Sequence, residues 1–369
     1  MKKRSGDGGG AGPGRHRVAA SLSTMIEEIT GLPKVVLHDH LDGGLRPATV
    51  LSLAAAAGYR GLPESDAAAL GRWFHQAGSS SLEAYLQAFM HTFGVMQTPE
   101  AMRRVALEAV EDMAGSGVVY AEIRFAPSLH MAGKMTRQHA IAAVVDGLAE
   151  AEARFGVPSR VIVDALRQDE DSAAVAAAAG EFVGAGVVGF DLAGPEAGYP
   201  ARRHQRAIDK ARESGLRITI HAGEGDGVGS IADALACGAE RIGHGVRIIE
   251  DTTVQGGRIV AMGAVAAEVH SRRIPLEVTL VSNLDTGMYP TAADHPVGLL
   301  HRAGFVVTLS TDNRLMSATS MVREFTTVLD HCGIGIADLA AMTRNAVAAA
   351  FCDEATRARV SQRVEAGNR

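Results

Sequence analysis

His38 and His40 stand two residues apart in His38-Asp39-His40-Leu41-Asp42-Gly43, directly after the apolar run Val35-Val36-Leu37. Residues at i and i+2 of a strand point to one face, so the two imidazoles can grip a single ion from one side. Three further clusters end short β-branched runs in the same manner. They are His221-Ala222-Gly223-Glu224 after Ile218-Thr219-Ile220, Gly243-His244-Gly245 after Arg241-Ile242, and Ser310-Thr311-Asp312-Asn313 after Val306-Val307-Thr308-Leu309. Neutral imidazole and carboxylate together suit zinc or a neighbouring divalent ion, and a catalytic site keeps one position open for water. His38, His40, His221 and Asp312 are the expected ligands, and the chemistry they imply is that of a mononuclear metal hydrolase. A lone His-x-His is better explained as two polar strand residues; four such clusters in one rhythm are not.

The elements that must position these clusters are short apolar runs alternating with alanine-rich, helix-periodic segments. Candidate strands are Val35 to Leu41, Val118 to Phe125, Val161 to Leu166, Val187 to Leu192, Ile218 to His221, Arg241 to His244, Leu276 to Val281 and Val306 to Ser310. Strands buried on both faces and joined by helical crossovers imply a parallel sheet, and eight of them imply an α/β fold of the (β/α)8 TIM-barrel type. Active sites of such barrels lie at the C-terminal strand ends, where His38, His40, His221, His244 and Asp312 all fall. The interval from Arg46 to Gly117 is too long for one crossover and predicts extra helices over the barrel mouth. Within it Leu82, Tyr85, Leu86 and Phe89 form one apolar helix face. That face reads either as an ordinary core-facing stripe or as a hydrophobic lid that excludes water from the chemistry.

Composition agrees with a folded enzyme acting on a small molecule. The chain has 369 residues, 47% of them hydrophobic, and barrels of this kind run past about 250 residues as one domain. No apolar stretch approaches the roughly 18 residues of a membrane span. The formal charge of −6 argues against a nucleic-acid partner, since such binders carry a basic patch. Cys237, Cys332 and Cys352 are few and far apart, so neither a disulfide framework nor a thiolate metal site is indicated, and a reducing cytoplasm fits. Residues 1–18 read as a disordered leader, glycine-rich and without an apolar targeting region. Residues 19–364 read as a single barrel domain, and 365–369 as a frayed tail.

Taken together, the clusters resemble the adenosine deaminase family of the metal-dependent amidohydrolases. The likeness extends from about Leu32 to Phe351. It includes Pro33-Lys34-Val35 with the first histidine pair, Tyr120-Ala121-Glu122-Ile123-Arg124-Phe125-Ala126-Pro127, Gly189-Phe190-Asp191-Leu192-Ala193-Gly194 with Pro195-Glu196, and Ser282-Asn283, besides the clusters already named. The resemblance implies one zinc ion per chain and hydrolytic deamination of a purine at C6, adenosine or 2′-deoxyadenosine plus water giving the inosine and ammonia. Zinc lowers the pKa of bound water to roughly 7. Glu224, three residues past His221, would supply the proton that the ring nitrogen N1 needs. His244 would act as base or orienting group, and Asp312 as ligand and acceptor.

The implied substrate contacts are His40, Asp42 at the ribose hydroxyls, the Gly194 amide at purine N3, and Asn313 at N7. Asp42, where adenine deaminases of the family carry glutamate, favours a nucleoside and would repel a phosphate. Asn313 stands where many members have a second aspartate, and an amide can donate to N7 without being protonated. The run Thr279-Leu280-Val281-Ser282-Asn283 lacks the usual Cys-Pro, and Gln168 follows Arg167 where a histidine often stands. Both departures touch the barrel mouth. The rival readings are a same-fold deaminase of adenine, aminodeoxyfutalosine or a modified adenosine, and a non-catalytic binding protein. The latter generally loses a ligand or the acid, and all are present here.

Overall fold

The computed structural model describes residues 26–75 and 88–367. The expected leader lies outside these residues, as do Leu82, Tyr85 and Leu86 of the expected lid face. Barrel strands are β1 (Lys34–His40), β2 (Val118–Phe125), β3 (Ser159–Leu166), β4 (Val187–Ala193), β5 (Arg217–Ala222), β6 (Arg241–His244), β9 (Leu276–Val278) and β10 (Val307–Leu309). They pair in parallel in the order β1-β2-β3-β4-β5-β6-β9-β10. Val, Ile and Leu dominate these runs because both faces are covered, one by the barrel interior and the other by helices. On β1 the alternation is explicit. Val35 and Leu37 pack outward with Tyr120, Val347, Val360 and Val364, whereas Val36 joins the main core and His38 is fully buried beside it.

The barrel closes at the place where the chemistry was expected. Beyond the last regular pair of β10, the His40 amide donates to the Asp312 carbonyl at 2.7 Å, and the Asp312 amide donates to the His38 carbonyl at 2.9 Å. This single parallel bridge between Asp39 and Asp312 brings Asp312 onto backbone adjoining His38 and His40, expected ligands 272 or more positions earlier in the sequence. Helices Pro47–Ala57, Ala67–Phe74, Phe89–Val95 and Pro99–Gly115 fill the interval between β1 and β2. The last begins at a Thr98 cap that accepts from the Ala101 amide, with Pro99 in its first turn.

The structure departs from the sequence reading in three places. The run Leu276 to Val281 is not one strand: β9 stops at Val278, and Leu280–Asp285 is a short helix. A brief apolar run does not distinguish strand from buried helix, and here the helical turn is stabilised by contacts of Val281 and Ser282 described below. A surface hairpin, β7 (Thr252–Gln255) with β8 (Arg258–Met262), was not anticipated, although Gly256-Gly257 between two β-branched runs is a hairpin signal. The expected frayed tail also begins too early. The last helix runs Glu354–Gly367, anchored by buried Val360 and Val364 and by close approach of Gly367 to Pro33. Among the described residues no helix is long and apolar enough to cross a membrane.

Candidate active site

His38, His40, His221, His244, Glu224 and Asp312 converge at the C-terminal mouth of the barrel. The ring centroids of His38 lie 5.4 Å from His40, 4.6 Å from His221 and 4.8 Å from His244. Asp312 Oδ1 is 3.5 Å from Nε2 of both His38 and His40, and the Nε2 atoms of His40 and His221 are 3.2 Å apart. His244 and Asp312 both adopt left-handed backbone, each with φ of 58°. Non-glycine residues rarely do so, and such strain concentrates at functional positions.

Each of the three histidines expected as ligands has a carboxylate behind it. His38 Nδ1 meets Glu277 Oε2 at 2.9 Å, His221 Nδ1 meets Asp191 Oδ2 at 2.8 Å, and His40 Nδ1 meets Asp164 Oδ2 at 3.3 Å. A carboxylate only accepts, so each Nδ1 carries the hydrogen and each Nε2 presents a lone pair. Three lone pairs and the free Asp312 oxygen then face one another, and His38 Nε2 is buried without a hydrogen-bond partner. A divalent cation placed among them would be met by all four atoms at once. Three neutral nitrogens and one oxygen fit a borderline divalent ion, so the residues present suit the metal that the sequence implied.

Arg124 organises the layer beneath. Its Nη1 donates to Asp191 at 2.7 Å, and its Nη2 to Glu277 at 2.7 Å and to the Leu37 carbonyl at 2.6 Å. Burial opposes the charge on Asp191, but His221 and Arg124 outweigh it and hold this carboxyl low. Glu277 is buried as well, and Arg124 and Arg241 hold it well below the usual carboxylate range. None of Glu277, Asp191, Asp164 or Arg124 was named for a role from sequence.

Glu224 is the opposite case. Burial foremost, then the nearby Asp312 and Glu196, raise its carboxyl well above the ordinary value, which favours its protonated form. Its Oε2 lies 3.4 Å from His244 Nε2. The loop that carries it is held by Glu196, whose two oxygens accept from the amides of Gly223, Glu224, Gly225 and Asp226 at 2.8 to 3.2 Å. Arg167 donates to the His221 carbonyl and, at 2.8 Å, to the Tyr199 carbonyl. Asp312 Oδ2 is occupied by the Ser282 hydroxyl at 2.5 Å, which leaves Oδ1 toward the histidines. The helical turn corrected above is what aims Ser282 there.

A cavity of about 240 Å³ opens onto this cluster. Asp42, Gly194 and Asn313 all line it, as do Phe89, Phe93, Leu129 and Leu166. Phe89 is thus the one described residue of the expected lid face, and it is buried against the site. Asn313 Oδ1 packs against Gly43, where any side chain would collide with it. Asp42 is buried, its Oδ2 3.7 Å from His130 Nε2. Among the described residues the lining includes no lysine or arginine.

Glu324 sits beneath these loops, fully buried, accepting from the Val281 amide at 3.2 Å and the Thr319 hydroxyl at 2.8 Å. Burial raises its pKa from 4.5 to about 8. The folded state therefore binds the proton more tightly than the unfolded state, and this contribution to stability fades as pH rises from about 4.5 toward about 8. Denaturation midpoints of wild type should fall relative to Glu324→Gln across that window. Parallel midpoints would remove the raised pKa.

Comparison with known proteins agrees with the geometry. The family model described as adenosine deaminase matches residues 33–367. An adenosine deaminase of Mycobacterium marinum is 49% identical over 333 residues, 88% of this chain and 92% of the relative. Adenosine deaminase 1 of Streptomyces coelicolor is 48% identical over 340 residues, 90% and 86% respectively. Among solved structures, an adenine deaminase from Arthrobacter aurescens superposes with a TM-score of 0.82 at 27% identity, covering 91% of this chain and 98% of its own. An Arabidopsis N6-mAMP deaminase gives 0.79 at 26%, covering 92% and 99%. With the family model spanning nearly the whole described barrel and the ligand cluster in place, the chain belongs to the adenosine deaminase family.

Proposed function

We propose that the chain hydrolyses the C6 amino group of a purine nucleoside, adenosine or 2′-deoxyadenosine, releasing ammonia, with one zinc ion held by His38, His40, His221 and Asp312. The observation that carries this reading is Glu224, a buried carboxyl facing the same cavity as the ligand cluster, in surroundings that favour its protonated form. When bound, a divalent ion there supplies Lewis-acid chemistry that makes hydroxide available near neutral pH. Glu224 gives its proton to ring nitrogen N1 as oxygen adds at C6 and aromaticity is broken. Asp312 Oδ1, its partner oxygen already committed to Ser282, accepts the proton that the attacking water sheds. That proton then passes to the departing amino group, ammonia leaves, and the hydroxyl proton left on the oxygen returns to Glu224 as the C6 carbonyl forms. Phe89, Phe93, Leu129 and Leu166 exclude bulk water from the ring.

The same lining favours a nucleoside. A bound phosphate is favoured by lysine or arginine partners, the described wall has neither, and Asp42 adds a carboxylate. By their printed names the relatives at 48 to 49% identity act on adenosine, whereas the nucleotide and adenine deaminases are similar at only 26 to 27%. Ammonia release should be measured on zinc-loaded protein with adenosine, deoxyadenosine, adenine, AMP and aminodeoxyfutalosine. Adenosine and deoxyadenosine should lead AMP and adenine by about 100-fold or more in kcat/KM, a difference of about 2.7 kcal/mol. AMP turned over as well as adenosine would overturn the nucleoside assignment. Asp42→Asn should raise KM for adenosine about tenfold with little change in kcat, as expected for loss of one charged hydrogen bond. An unchanged KM would take Asp42 out of ribose recognition.

A further inference from the structure

We propose that His295 and Asn283 are positioning residues that hold His244 as its Nε2–H tautomer, so that this ring offers the reacting centre a proton donor and not an acceptor. His295 attracted no role in the sequence, where it is one of ten histidines outside the four clusters.

The chain of inference starts from a group whose polarity is fixed. The Val297 peptide N–H can only donate, and it lies 3.2 Å from His295 Nδ1, so that nitrogen is an acceptor. His295 is buried, with no carboxylate among its hydrogen-bond partners, and burial lowers its pKa to about 3. The ring is neutral and carries one N–H, which must be on Nε2. That atom faces Asn283 Oδ1 at 3.2 Å.

The orientation of the Asn283 amide follows. Turned end for end, its NH2 would oppose the His295 N–H, donor against donor, or would require an imidazole with no proton at all. The oxygen therefore stays toward His295, and Nδ2 donates across 3.1 Å to His244 Nδ1. The Thr279 hydroxyl, 2.9 Å from the same nitrogen, is free to rotate and donates there too. Two donors converge on His244 Nδ1, so that atom is a lone-pair acceptor and the ring's single hydrogen is on Nε2. The Tyr289 ring, edge-on to His295 with centroids 4.9 Å apart, keeps the relay in place.

His244 Nε2 is the atom nearest Glu224, at 3.4 Å from Oε2. A neutral ring already protonated there cannot take a proton from an attacking water through that atom. It can donate to the oxygen and orient it. Of the two roles the sequence left open, base or orienting group, the relay selects the second. The ligand histidines are set oppositely, with hydrogen on Nδ1 through their carboxylates, so the barrel mouth holds two tautomers for two tasks. The catalytic consequence rests on the proposed deamination, but the tautomer is a property of the protein alone and is read without substrate.

The test is nitrogen NMR on ¹⁵N-histidine-labelled protein, metal-free and zinc-loaded, with the His244 signals assigned by their loss in His244→Gln. Wild type should show His244 as Nε2–H, and so should His295→Gln, whose amide can accept from Val297 and donate to Asn283. In His295→Leu the Asn283 amide is free to turn, and His244 should become a mixture of tautomers. There kcat should drop about 10- to 100-fold with KM within about threefold and metal content unchanged. Asn283→Asp presents only acceptors and should convert His244 to Nδ1–H. Finding Nδ1–H in wild type overturns the proposal. So does an unmoved tautomer and an unmoved kcat in His295→Leu, or Nε2–H persisting in Asn283→Asp, which decides the matter if the leucine variant does not fold. Ammonia release from none of the substrates, with the tautomers behaving as described, would instead count against the deamination alone.

Discussion

Glu224→Gln should lower kcat for adenosine by about 10² to 10⁴, the usual contribution of a positioned general acid, while KM, zinc content and thermal midpoint stay close to wild type. The expectation is this selective because the side chain and its scaffold are separable. Glu196 holds the loop through the amides of Gly223, Glu224, Gly225 and Asp226, and none of those contacts involves the Glu224 carboxyl. Glutamine keeps the shape and the loop, and removes only the transferable proton. The proposed metal ligands stand on other positions, so the ion should remain. Measuring zinc by elemental analysis beside steady-state rates separates the possibilities. Turnover within a few-fold of wild type would remove Glu224 from catalysis, and a parallel loss of zinc would mean that it is structural support for the ion.

What the sequence made legible was the inner ring, and the reason is physical. Ligands at the C-terminal ends of parallel strands follow runs of β-branched residues, so the register of His38, His40, His221, His244 and Asp312 could be read from the runs themselves. The bracing layer was less visible because its members sit inside the runs, where apolar residues dominate the pattern. Arg124 on β2, Asp164 on β3, Asp191 on β4 and Glu277 on β9 are all buried to within 1%. A charge within a strand covered on both faces is costly unless paired, and four of them within strands of one barrel were a signal in their own right. Glu196 and His295 are harder, since they lie on loops, where polar residues are ordinary. Their partners are backbone amides and side chains distant in sequence, and only the closed barrel brings these together. The end of β9 failed for another reason: Leu280 and Val281 are as apolar as any strand, but Ser282 and Asn283 are needed on successive positions of a helical turn to reach Asp312 and His244.

Arg124→Met should be the most destabilising single change near the site, by about 3 to 5 kcal/mol, the range seen when one partner of a buried ion pair is removed. Arg124 is the shared cation of Asp191 and Glu277, all three fully buried. Methionine fills the volume but leaves two buried carboxylates with less compensation. The pH dependence has a definite sign. In wild type the pKa values of Asp191 and Glu277 are depressed, so these groups add stability above the ordinary carboxylate range and lose it as pH falls. Without the guanidinium that depression shrinks, so the deficit of the variant should be largest near neutral pH and should narrow as the medium is acidified toward about pH 4. Because Asp191 and Glu277 also orient His221 and His38, zinc affinity should weaken about 10- to 100-fold. Arg124→Lys keeps the charge but cannot reach Asp191, Glu277 and the Leu37 carbonyl with one fork, and should fall between wild type and methionine in both stability and affinity. Denaturation curves of the metal-free proteins at several pH values, with zinc titrations on the same samples, test both halves. A loss below about 1 kcal/mol in the methionine variant, or a deficit that grows on acidification, would mean that Asp191 and Glu277 do not depend on this arginine for their charge.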